Sequence, residues 1–124
     1  MANSSHSYLD LKVWLEARKL SKEIYQLTKT YPAEEKFGLV SQMRRSAISI
    51  PSNIAEGCGR NHKKDSLQFF YISRGSLYEL ETQLYISFDL NFLNDTALKA
   101  HLNYLENLRK LLSGFINYYQ QLKR

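Results

Sequence analysis

Apolar residues recur every three or four positions along nearly the whole chain, the period of a helix with one face turned inward. Val40, Met43, Ala47, Ile50 and Ile54 follow spacings of 3, 4, 3 and 4, the seam expected where helices pack side by side. Four such segments are predicted. The first spans 11–31, starting after Asp10 as a cap and stopping at Pro32, with Leu11, Trp14, Ala17, Ser21, Ile24 and Leu27 or Thr28 inward. The second spans 34–57 and ends in Gly57-Cys58-Gly59-Arg60, whose glycines accept left-handed geometry. The third spans 63–90. The fourth spans 95–122, beginning after Asn94 or Asp95, with Leu98, Leu102, Leu105, Leu112, Phe115 and Leu122 inward. No hairpin-linked strand pattern, internal repeat or low-complexity linker interrupts them. Short connectors imply antiparallel neighbours, so the expected fold is all-α: one domain, 1–124, forming an antiparallel up-down four-helix bundle.

The second and third segments carry more than one inward stripe. Gln42, Arg45, Ser49, Ser52 and Glu56 form a polar line opposite the Val40–Ile54 seam, small enough for another backbone to approach closely. Pro51 withholds the hydrogen bond normally given to the Ala47 carbonyl, a place where serine hydroxyls can compensate. In the third segment one stripe holds Leu67, Phe70 or Tyr71, Arg74, Leu77 or Tyr78, Glu81, Leu84 and Phe88. A second holds Phe69, Ile72, Ser76, Leu80 and Gln83. A helix apolar on two sides needs cover on both, which one bundle does not supply. Self-association is therefore expected, with Ser49, Ser52, Phe69, Ile72, Ser76 and Leu80 at the interface. Arg74 and Glu81 in an inward stripe each need a partner, with Glu56 a further candidate for a register-fixing charge pair.

Composition narrows the function classes. At 124 residues, 44% hydrophobic and with two prolines, the chain has enough material for one folded core. The single cysteine, Cys58, allows no internal disulfide and fits a reducing compartment. The opening MANSSHSYLD lacks an export-type apolar core and no later run is apolar enough to span a bilayer, so a soluble, cytoplasmic protein is expected.

Catalytic and metal signatures are sparse. His6, His62 and His101 are scattered, and Cys58 with His62 supplies only two of the ligands a zinc site needs. The sequence has no nucleophile elbow, P-loop or dinucleotide fingerprint. A bundle nuclease with arginine and histidine four to six residues apart on one helix is not matched, since Arg60 precedes His62 by two, in a turn. No enzyme, cofactor or metal is expected; a nuclease using Arg60, His62 and Lys63 is the enzymatic alternative.

Charge supplies the remaining lead. Net charge is +5, distributed as +2, +3, −4 and +4 over residues 1–30, 31–64, 65–98 and 99–124. The alternation suits complementary subunits or a polyanionic partner. Arg44, Arg45, Arg60, Lys63 and Lys64 are the nucleic-acid candidates, suited to salt-sensitive, sequence-tolerant binding of RNA or DNA. A protein-interaction module whose cations only confer solubility is the competing reading.

The stretches DLKVWLEARKLSKEIYQLT, FGLVSQMRRSAISIPSNIAEGCGR and FFYISRGSLYELETQL resemble the four-helix-bundle proteins encoded within intervening sequences of bacterial 23S ribosomal RNA genes. The resemblance spans about residues 8 to 122 and is most specific from Gln42 to Gly59, with Arg74-Gly75-Ser76-Leu77 and Glu79-Leu80-Glu81 as a second anchor. It implies an up-down bundle, a ring-shaped homopentamer and no attached enzyme activity. It also implies kinship with the basic accessory protein of diversity-generating retroelements, which binds a reverse transcriptase and nucleic acid. On that basis Arg45, Ser49 and Ser52 would face a neighbouring subunit or the ring interior.

Overall fold

A computed structural model describes residues 7–123. Among these the fold is all-α, with helices α1 (Lys12–Thr28), α2 (Leu39–Cys58), α3 (Lys63–Asp89) and α4 (Asp95–Gln120), plus 3-10 turns at Tyr8–Asp10 and Ala33–Glu35. Helix α1 packs on α2, α2 on α3, α3 on α4, and α4 returns to α1. This closed cycle leaves α1 and α3 on opposite sides of a single core. The core gathers Val13, Leu20 and Ile24 with Met43, Ile50 and Ile54, and Phe70, Leu80 and Leu84 with Leu108, Leu112 and Ile116.

Local chemistry sets the helix ends. Asp10 does not cap α1. It closes a 3-10 turn whose Leu9 amide donates to the Ser7 hydroxyl (3.1 Å), and α1 begins after an uncapped Leu11. Asn94 caps α4 as its residue type favours, accepting from the Ala97 amide at 2.8 Å. The glycine turn after α2 works differently from expectation: no glycine among the described residues has positive φ. Gly57 is instead required for space, because a Cβ there would lie 2.4 Å from the Phe70 ring and 2.8 Å from the Ser66 carbonyl oxygen. The left-handed turn belongs to Asn91 (φ 65°), which ends α3. The Asn91 and Phe92 amides return to the Phe88 and Ser87 carbonyls, a Schellman closure that sets Phe92 against Tyr31.

The Val40–Ile54 seam of α2 is buried throughout. The seam of α3 runs between the two expected stripes: Phe70, Leu77 and Leu84 of the first and Leu80 of the second are buried together with Ser66, Ser73 and Ser87, at spacings of 4, 3, 4, 3, 4 and 3. Three serines in seven positions hide this line from any count of apolar residues. Their small side chains let α3 lie close on α2, and their hydroxyls are satisfied inside the core. Ser73 donates to the Ile50 carbonyl (2.9 Å) and Ser87 to the Gln83 carbonyl (2.8 Å).

Pro51 sits inside α2 and leaves the Ala47 carbonyl without its usual donor. The hydroxyl of Ser21 on α1 donates to that oxygen at 3.1 Å. The proline and the serine thus form a linked pair that ties α1 to α2.

Two outcomes follow. Gly57→Ala should destabilise the fold by about 1–3 kcal/mol, because the intruding methyl meets backbone as well as the ring; urea unfolding followed by circular dichroism reads this directly. Ser21→Ala should cost about 1–2 kcal/mol in the native chain and distinctly less beside Pro51→Ala, where an amide again serves Ala47. Equal costs in the two backgrounds would refute the linkage.

Candidate nucleic-acid and self-association surfaces

The five cations assigned to nucleic acid do not form one cluster. Arg44 and Arg45 lie in the first half of α2, whereas Arg60, Lys63 and Lys64 lie beyond its far end. At 1.5 Å per residue the two groups are separated by about 20 Å along α2. Three of the five are already engaged. The Arg44 Nε donates to Thr28 Oγ1 (2.9 Å), a second nitrogen donates to the Tyr25 carbonyl (3.3 Å), and the guanidinium lies 4.4 Å from the centre of the Tyr25 ring. This cation meets the carbonyl end of α1, where positive charge is favoured. Arg60 pairs with Glu56 at 2.7 Å and stacks over Phe69 at 4.6 Å. Lys63 Nζ donates to the carbonyls of Gln120 (2.9 Å) and Leu122 (2.6 Å), closing the end of α4. Arg45 and Lys64 are exposed, with no hydrogen bond, ion pair or ring contact, and are the free members of the set.

The expected interface residues divide in a similar way. Leu80 is fully buried and belongs to the core, because the rotation of α3 turns it under α2. Ser76 is also buried; its hydroxyl donates to Ser49 Oγ at 2.9 Å and lies beside the Ile72 carbonyl at 3.2 Å. Ser49 additionally accepts from the Asn53 amide at 2.9 Å. The close backbone that the polar line of α2 accommodates is therefore α3 of the same chain. Phe69 is half-buried beneath Arg60, and only Ser52 and Ile72 of the six are exposed.

The charge pair is likewise rearranged. Glu56 pairs with Arg60, and Arg74 lies 5.3 Å over the Tyr71 ring without an acidic partner. Glu81 flanks the α3–α4 seam with Tyr78 and Arg109. Both Arg74 and Glu81 are half-exposed, so water hydrates them and no buried pair is needed.

Sequence reasoning missed a cleft of about 540 Å³ between α1 and α4, lined by Lys12, Glu16, Tyr104, Asn107, Lys110 and two leucines. The Tyr104 hydroxyl donates to Glu16 Oε1 at 2.9 Å and lies 3.1 Å from the Glu16 carbonyl. Burial, followed by the Glu16 hydrogen bond, holds its pKa above the ordinary tyrosine value. A lone Tyr–Glu contact spanning 88 positions has no signal in a single sequence.

Among the described residues no group of three His, Cys, Asp or Glu side chains converges as a metal site. His62 precedes α3 and is exposed; His101 Nδ1 lies 2.8 Å from the Ala97 carbonyl. His6 lies outside the described residues. Burial pushes the Cys58 thiol up to about 11. Among the described residues no helix is long and apolar enough to cross a membrane.

The class defined by these observations is a four-helix bundle whose helices are joined by buried serine hydroxyls and by a few charged side chains, Arg44, Lys63 and Glu16 among them. Residues 9–114 match the family described as 23S rRNA-intervening sequence protein, and the chain belongs to that family. A solved structure from Bacteroides thetaiotaomicron, described as a protein of unknown function from the S23 ribosomal protein family, is similar in fold. Its TM-score is 0.78 at 24% identity, covering 85% of this chain and 95% of that one. No curated protein matches the chain.

With its thiol protonated at pH 8, Cys58 should react with iodoacetamide at least about tenfold more slowly than an unperturbed cysteine thiol of pKa near 8.5. The labelling rate should climb towards pH 11 if the fold persists, as mass spectrometry over a pH series would show.

Proposed function

We propose that this chain is a non-enzymatic scaffold or adaptor of the cytoplasm: an antiparallel up-down bundle that assembles with copies of itself and associates with RNA or DNA. The helix order is supported by register, since Ser73 meets Ile50 while Ser87 meets Met43, and Ser21 meets Ala47 while Thr28 meets Arg44. The observation that carries self-association is the set of large side chains left outside the core. Leu15, Ile48, Ile72, Tyr78, Tyr85, Ile86 and Tyr118 all lie exposed on helices. Cover from further copies removes that surface from water. A closed ring, five-membered as the family resemblance implies, satisfies every subunit equally.

Nucleic-acid association rests on less surface than the sequence implied. Arg45 and Lys64 supply the free charge, repeated around an assembly, with Arg44, Arg60 and Lys63 adding field from their structural positions. Neutralising phosphates in this way gives sequence-tolerant affinity that weakens as salt rises.

Light scattering coupled to size exclusion should return a multiple of the 14.5 kDa chain mass. A fluorescent RNA oligomer should bind at low salt, weaken steadily as salt rises, and lose affinity about tenfold or more on Arg45→Glu with Lys64→Glu. An assembly that ignores RNA and DNA at low salt would favour the pure protein-interaction module. A monomer at high concentration would end the scaffold reading.

A further inference from the structure

The two helices that lie across the core from each other carry outward faces of opposite charge. On α1 the buried line is Val13, Ala17, Leu20, Ile24 and Thr28. The opposite side of the helix presents Leu15, Arg18, Lys19, Lys22 and Lys29, all exposed. Leu15, 39% exposed, borders a concavity of about 390 Å³ whose other lining residues are Glu16, Arg18, Lys19 and Lys22. This is an apolar centre with a mainly cationic rim.

On α3 the side opposite the buried serine–leucine line presents Tyr78, Glu79, Thr82, Tyr85, Ile86 and Asp89, again all exposed. Tyr85 and Ile86 are 49% and 42% exposed. Neither Glu79 nor Asp89 makes a salt bridge, and no lysine or arginine occurs between Arg74 and Lys99. This face is apolar and aromatic with a mainly acidic rim, bordered by Arg45 of α2 beside Glu79 and by Arg109 of α4 beside Tyr78.

We propose that the α1 face of one copy docks on the α3 face of the next, in a head-to-tail contact. The proposal rests on the self-association reading above and specifies the surfaces it uses. Charge complementarity selects the occupant: the basic face finds its acidic, apolar counterpart on the same chain, and each face leaves the other uncovered. Because α1 and α3 do not pack on each other, one copy can hold two neighbours at once. A contact between two different surfaces propagates, closing as a ring or extending as a filament according to its rotation angle. A polyanion would also be drawn to the α1 cations, but it offers nothing for Leu15 and leaves Tyr85 and Ile86 in water.

The test uses two full-length charge-reversal variants, Lys19→Glu with Lys22→Glu and Glu79→Lys with Asp89→Lys. All four positions are exposed, and helicity and melting temperature by circular dichroism verify each fold. Each variant alone should show a dissociation constant raised at least about tenfold and a lower mass by light scattering. An equimolar mixture should assemble to a mass above that of either variant alone, since every α1–α3 contact between the two is again opposite in charge; a ring with an odd number of copies keeps one like-charged contact, so its recovery falls short of complete. Leu15→Glu should also lower the mass, giving a variant independent of the lysines. A native chain that assembles while all variants keep its mass would overturn these faces and leave self-association standing. A native chain that is monomeric removes both. Variants of α1 that keep the native mass but lose a fluorescent RNA oligomer would assign that face to a polyanion and overturn the proposal.

Discussion

The close approach of α2 and α3 is the constraint on which the other contacts depend. It requires Gly57, where a single Cβ would strike both the Phe70 ring and the Ser66 carbonyl. It also relies on small side chains at Ser73 and Ser87, whose hydroxyls lie against Ile50 and Met43 of α2. Once α3 is seated, Phe70 turns towards Phe115 and Tyr119 at ring distances of 4.9 and 5.0 Å and so places α4. Small residues alone would leave backbone oxygens and hydroxyls in a dry seam, at a cost of about 1–3 kcal/mol for each unmet group. The hydroxyls of Ser73, Ser76 and Ser87 have partners there, so close packing and polar satisfaction come from the same residues.

The same economy governs the charges. Arg44 closes the end of α1, Lys63 closes the end of α4, and Arg60 links Glu56 to Phe69 across the turn between α2 and α3. Residues that look in sequence like a ligand-binding cluster are largely occupied in holding helix ends. What remains exposed is distributed by side: cations outward on α1, carboxylates and tyrosines outward on α3, Arg45 in the first half of α2 and Lys64 in the first turn of α3. The exposed charges thus lie on several separate surfaces of the bundle.

Much of the helical content was legible because apolar spacing depends on helix geometry alone. The α2 seam, Asn94 as cap and the boundaries of α3 were all accessible in this way. Misreadings arose where a residue's role depends on a neighbour distant in sequence. Leu80 looked peripheral because the serine-rich seam of α3 carries little hydrophobic signal; Glu56 and Arg74 looked like partners until the turn brought Arg60 within reach. Gly57 looked like a conformational device and proved to be a spatial one, with Asn91 adopting the left-handed geometry.

By itself the sequence determined that this chain is helical, roughly where its helices start and stop, and which side of α2 is dry, because these follow from periodicity, caps and proline chemistry within a few residues. Only the tertiary structure decided the rotation of α3, the Ser21 hydroxyl that replaces the amide missing at Pro51, and which cations stay free. Each of those depends on atoms brought together from separate helices, and one-dimensional spacing carries no record of the distance between them.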